Sequence, residues 1–203
     1  VARLRSAWGE LTRSAELLIA VDEDDPQLPA YAEDGEVTVC PPLGLGGVIN
    51  WLAQRVAPLC NHIGFLGDDH CPRTPGWDRM LTEALDGRLG VAYGNDLLLG
   101  ELVPTAALVS SELITGLGYM VPPGVEHLCH DMFWKELGQA TTLAYCPDVI
   151  IEHVHPTAGK APWDEGYARG NSPERYEQDG AAYNTFLTRK WPSDRDALLG
   201  ALT

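Results

Sequence analysis

The sequence predicts an α/β fold, and three observations carry the prediction. Helix-like and strand-like patterns alternate through the first half of the chain and mix later. Two apolar runs, Leu17-Leu18-Ile19-Ala20-Val21 and Ile63-Gly64-Phe65-Leu66, read as buried strands. Each run stops at an acidic cluster, Asp22-Glu23-Asp24-Asp25 in the first case and Asp68-Asp69 in the second. Ligands of open α/β sheets bind beyond the carboxyl ends of the strands, so the two clusters could converge on one crevice.

The elements follow in order. Leu4, Trp8, Leu11 and Ala15 recur at helical spacing and predict an amphipathic helix over residues 2–15, feeding the strand at 17–21. Residues 36–39 form a short strand candidate. The Gly- and Pro-rich stretch 41–47 leads into a helix with apolar positions Ile49, Leu52, Ala53 and Val56, ended by Pro58. A strand over 62–66 delivers Asp68 and Asp69, and Asp78 is expected to cap a helix running to about Gly87. Strands are expected at 90–93 and 101–109, a short helix from Ser111 to about Gly116, and a longer one over 130–137 with Gly138 just past its end. Two more strands are expected at 142–146 and 149–154. Residues 156–171 are rich in Gly, Pro and charge, and Ser172-Pro173 signals the start of a helix reaching about Lys190.

Composition narrows the partners. The chain has 203 residues, enough for one substantial core, and a single domain is expected. Fourteen basic against 29 acidic residues give a net charge of −15, which argues against nucleic acid or an anionic membrane surface as a direct partner. An anionic substrate would need a bound cation as intermediary. The five cysteines are odd in number and widely spaced, without a CxxC pair, and read as reduced thiols of a cytoplasmic protein. No apolar stretch has the length of a membrane span, and the first residues lack the apolar core of a signal peptide.

Adjacent carboxylates such as Asp68 and Asp69 repel each other and resist desolvation, so a divalent ion or several hydrogen bonds must neutralise them if they are buried. A solvated turn would also account for them. Asp131, in a helix first turn, suits a general base and equally suits dipole compensation. Alternation sends His153 and His155 to the same face of a strand end. His127, Cys129 and His130 match no standard zinc spacing.

Val21-Asp22-Glu23-Asp24-Asp25, the Gly-rich lead into the helix carrying Asn50, and Ile63-Gly64-Phe65-Leu66-Gly67-Asp68-Asp69-His70 with Trp77 beyond it resemble the nucleotide-sugar half of a GT-A glycosyltransferase of family 2 type. Gly124, His127, Asp131-Met132-Phe133-Trp134 and Ile151-Glu152-His153-Val154-His155 resemble its acceptor half. The resemblance implies a Rossmann-like, mixed but mostly parallel central sheet flanked by helices. It divides the single domain 1–203 into a nucleotide-sugar half at 1–100, an acceptor half at 101–155, and a lid loop with C-terminal helix at 156–203. It implies a metal-dependent, inverting transfer of a sugar from a nucleoside-diphosphate donor to the hydroxyl of a glycan, protein or lipid headgroup.

By that resemblance Asp69 is the principal ligand of Mn²⁺ or Mg²⁺, and Asp68 touches the metal through water or the ribose. A late histidine joins them, a place either His153 or His155 could take, with His155 nearer the loop. Asp22 binds base and ribose, Asp24 and Asn50 line the donor site, and Asp131 is the catalytic base, while Asp24 and Asp25 beside Pro26 read from the residues themselves as turn residues with Asx-type backbone bonds. Lys160, Trp163, Asp164 and Tyr167 belong to the lid or acceptor platform. Family members open with a strand that is absent here before the first helix, so the sheet is expected to lack its first strand or to fill that slot otherwise. A nucleotidyltransferase or metal-dependent phosphohydrolase could use the same acidic pair, and a non-catalytic glycan- or nucleotide-binding module could keep the fold.

Overall fold

A computed structural model describes residues 2–33 and 35–202. Helix α1 (Ala2–Leu11) leads to strand β1 (Ala20–Asp22), a short helix α2 (Leu28–Glu33) and strand β2 (Thr38–Cys40). Then come α3 (Gly44–Val56), β3 (His62–Gly64), β4 (His70–Pro72), α4 (Trp77–Ala84) and β5 (Val91–Asn95). The second half holds β6 (Ala107–Ser110), α5 (Ser111–Leu117), α6 (His130–Ala140), β7 (Leu143–His153), α7 (Glu165–Gly170), α8 (Pro173–Arg189) and α9 (Trp191–Ala201). The fold is α/β, as the alternation predicts. Among the described residues no helix is long and apolar enough to cross a membrane.

The sheet corrects one expectation. Five strands run in the order β3-β6-β5-β7-β4, and of their pairings only β5 with β7 is parallel. β1 and β2 form a separate parallel pair. The sheet is therefore mixed and mainly antiparallel. Its chain path explains why: β6 enters beside β5 after a short loop, and β4 lies against β7, which arrives much later in sequence. No hydrogen-bonded strand joins β1 to β3 among the described residues, so each keeps one unpaired edge.

Both faces of the five-stranded sheet are covered, and strict side-chain alternation does the sorting. Val91, Ala107 and Val109 face one core with Phe133, Trp134 and Leu137 of α6, Leu113 and Ile114 of α5, and Phe186 and Trp191 from the C-terminal helices. Ala92, Leu108, Val149 and Ile151 face a second core with Trp77, Leu81 and Leu85 of the α4 region, and Trp8 and Leu11 of α1 pack against it. Trp134, at 1% exposure, donates its indole N–H to the Met120 carbonyl, so this large ring is buried without an orphaned donor.

Several boundaries differ from the sequence reading, and buried polar side chains account for two of them. Asp78 does not cap α4; Gly76, in the left-handed region at φ 73°, is its N-cap. The Asp78 carboxylate reaches back instead to accept the backbone N–H groups of Arg13, Ser14 and Ala15. Those amides are thereby satisfied outside a helix, which lets α1 stop at Leu11 and not at Ala15. Gly138 lies inside α6, which runs on to Ala140.

The expected strands at 142–146 and 149–154 are one strand, β7, interrupted by an irregularity. The register against β5 jumps from Gly94↔Cys146 to Asn95↔Ile150. A Cβ at Gly94 would collide with the Val149 carbonyl oxygen, so only glycine permits the backbones to approach here. The extra residues on β7 re-aim its last part, so that His153 N–H donates to the Asp96 carbonyl at 2.9 Å, just past the end of β5.

Candidate metal centre

Asp69 and His153 meet because the turn between β3 and β4 is stitched to the end of β7. His70 pairs with His153 in the β4–β7 register, and Val154 N–H donates to the Asp69 carbonyl. Asp69 Oδ2 then lies 3.0 Å from His153 Nε2 and accepts the Tyr167 hydroxyl at 2.7 Å. His155 stands edge-on to His153, with centroids 4.9 Å apart. Its Nδ1 is engaged by Thr157, which leaves Nε2 as its donor atom. One donor atom each from Asp69, His153 and His155 lies within 4.8 Å of the others, and among the described residues this is the group that could hold a metal ion.

The charges of the cluster follow from burial and contact. Burial works against the Asp69 carboxylate, but the His153 and Tyr167 donors outweigh it and hold Asp69 well below the usual carboxylate range. Burial likewise works against a protonated His153, yet Asp69 and Asp96 on either side push it up to about 9. His70 stacks on His153 at 4.2 Å and is almost fully buried. Gly67 N–H donates to His70 Nδ1 at 3.1 Å, so that nitrogen carries no proton, and its 3.2 Å approach to Asp69 Oδ1 is not an ion pair. Burial lowers the His70 pKa, in keeping with a neutral ring.

Asp131 lies in the first turn of α6 and accepts the Met132 N–H. Burial raises its pKa, with the Met132 N–H and the His153 charge opposing the shift and the Asp96 charge adding to it. Asp68 is exposed beside Asp69.

Other expected residues fall elsewhere. Among the described residues, the hydrogen-bonded cluster around Asp69 includes none of Asp22, Asp24 and Asn50. Asp22 ends β1 with its carboxylate 3.8 Å from the Cys40 thiol. Asp24 is an exposed turn residue, and its neighbour Asp25 makes the Asx bond, accepting Gln27 N–H at 2.7 Å. Asn50 is engaged elsewhere: it accepts from Met120 and Val121 N–H and donates to the Val121 carbonyl, tying α3 to the segment before α6. The five cysteines are free, and His127, Cys129 and His130 do not assemble as metal ligands among the described residues.

Sequence reasoning missed two neighbours of the site, His70 and Asp96, and it took Tyr167 only as a lid aromatic. Asp96 offers a signal in hindsight. It follows a strand and opens a loop that turns at Gly100, the pattern of a carboxylate capping successive backbone amides.

The start of α6 also contains a group with a measurable consequence. His130 is 5% exposed, tilted against Trp134 with centroids 6.3 Å apart, and its Nε2 has no hydrogen-bond partner among the described residues. Burial pulls its pKa down to about 4, with the Val125 carbonyl and Asp179 opposing and His127 reinforcing the shift. The folded state therefore binds fewer protons than the unfolded chain between the unfolded histidine value of about 6.5 and that lower value. Stability from this group is complete above about pH 6.5 and lost as the pH falls toward 4, by roughly 3 kcal/mol. Urea unfolding from pH 7 to pH 4 is expected to show this slope, and His130→Gln to flatten it.

No protein-family profile matches the chain, and no curated protein matches it.

Proposed function

We propose that this chain is a metal-dependent glycosyltransferase of GT-A type, moving a sugar from a nucleoside-diphosphate donor to an acceptor hydroxyl with inversion. The observation that carries the reading is the convergence of Asp69, His153 and His155 at one end of the sheet, one donor atom of each within 4.8 Å of the others. Asp69 and the two histidines would hold Mn²⁺ or Mg²⁺, and their chemistry fits: a hard carboxylate oxygen suits either ion, while two imidazoles favour Mn²⁺. When bound, such an ion supplies Lewis-acid stabilisation of the negative charge on a departing nucleoside diphosphate.

The chain's own residues divide the remaining work. His153 must release its Nε2 proton before it can act as a ligand, so binding is coupled to proton release. Asp68, exposed at the rim, reaches the ribose or a bound water. Asp131 accepts the proton of the acceptor hydroxyl, and the burial that raises its pKa makes it a stronger base than an exposed aspartate. Trp163 and Tyr167 stack at 6.1 Å, and His155 stands edge-on to both, forming an aromatic wall that can cover a sugar and exclude water. The net charge of −15 makes the cation necessary for holding an anionic donor.

A thermal-shift panel of nucleoside diphosphates and their sugars, with and without Mn²⁺, tests the reading. At least one nucleotide is expected to stabilise the protein only when metal is present. At 100 times the dissociation constant the gain is about 2.7 kcal/mol, or roughly 5–10 °C for a chain of this size. A flat panel overturns the proposal. Release of pyrophosphate or inorganic phosphate in place of free nucleoside diphosphate would assign the cluster to a nucleotidyltransferase or phosphohydrolase, and ligand binding without turnover to a binding module.

A further inference from the structure

The geometry points to Asp96 as the positioning residue of this centre: its carboxylate faces His153 Nδ1 and so holds the ring with Nε2 toward Asp69. The inference rests on the metal-site reading above and adds a residue to it. A neutral imidazole that ligates through one nitrogen carries its proton on the other, and that proton needs an acceptor to set the tautomer and ring orientation. His153 Nε2 faces Asp69, and its Nδ1 is buried with no hydrogen-bond partner among the described residues. Asp96 Oδ2 stands 3.8 Å from that nitrogen, longer than a hydrogen bond and within ion-pair distance.

Asp96 is itself held still. Its Oδ1 accepts the N–H groups of Leu98, Leu99 and Gly100 at 2.8–2.9 Å, and its Oδ2 accepts the Thr105 hydroxyl at 2.9 Å. The His153 N–H donates to the Asp96 backbone carbonyl, so the two residues are registered by main chain as well as side chain. A purely structural role would be to cap the loop 97–100. That role uses only Oδ1, and an asparagine could fill it without burying a charge. Asp96 is 2% exposed, and its Oδ2, which accepts only the Thr105 hydroxyl, has capacity for a second donor. His153 is the titratable group in contact with that oxygen.

The test is Asp96→Asn, which keeps an acceptor for the three amides and removes the charge facing His153. Mn²⁺ affinity is read by electron paramagnetic resonance of the free ion, and apo-protein melting is measured alongside. Affinity is expected to fall 10- to 100-fold while the apo protein still melts cooperatively. Thr105→Val, which removes the other donor to Oδ2 but leaves the charge, is expected to bind Mn²⁺ within about threefold of the parent, well short of the loss that an outer-partner change causes. Unchanged affinity in Asp96→Asn overturns the inference and leaves the metal site standing. Absence of Mn²⁺ binding in the parent chain overturns the metal site itself.

A second measurement needs no variant at position 96. In the parent protein loaded with Zn²⁺ as a diamagnetic stand-in, long-range ¹H–¹⁵N spectra assigned by comparison with His153→Gln are expected to show His153 protonated at Nδ1. Protonation at Nε2 overturns the inference.

Discussion

Asp69→Asn is expected to abolish metal-dependent nucleotide binding. The substitution keeps the size of the side chain and one oxygen, so Tyr167 retains a possible acceptor, but it removes the charge that both a cation and a protonated His153 require. The loss of Mn²⁺ affinity should exceed the roughly 10- to 100-fold typical of an outer partner such as Asp96, because Asp69 would touch the ion directly. The thermal-shift panel should go flat at every nucleotide concentration that stabilises the parent. Removing the carboxylate also takes away the nearer of the two acids that support a charged His153, so in the apo variant the pKa of this histidine should drop from about 9. A nucleotide response that survives with its metal dependence intact would remove Asp69 from the site.

Asp131→Asn should separate binding from chemistry. Asparagine cannot take a proton from the attacking hydroxyl, and loss of a positioned general base lowers turnover by about 10² to 10⁴-fold. Donor binding, carried by other residues, should change little, so steady-state kinetics are expected to show the effect in kcat with the donor KM nearly unchanged. A variant with unaltered kcat would leave Asp131 as a helix first-turn residue whose charge only complements the dipole.

How far the sequence could be read depends on the distance over which each feature is specified. α3, β5, α5 and α8 carry their signals locally, in apolar periodicity and in Ser172 and Pro173 at the start of α8, and they stand where expected. β4 has only three residues and ends in Pro72, a poor strand signal; pairing with β7 makes it a strand. Strand order has no local signature; the mostly parallel sheet is an implication of the GT-A resemblance, and the antiparallel pairings correct it.

The same holds for the side chains. Asp69 and the histidine pair were legible because each closes an apolar run at a strand end. The grip of Asp78 on residues 13–15 and that of Asn50 on Met120 and Val121 each span more than sixty positions, and nothing near those residues announces them. Asp96 belongs to the site only through the irregularity in β7 that brings His153 alongside it.

The Tyr167 hydroxyl rests on the same oxygen of Asp69 that faces His153. Tyr167 sits in α7, whose first turn is fastened by the Asp164 side chain, and it is stacked on the half-exposed Trp163. The hydroxyl therefore fastens the stretch carrying Trp163 and Tyr167 to the carboxylate at the middle of the cluster. One hydroxyl contact between residues 98 positions apart thus ties the aromatic wall to the cluster.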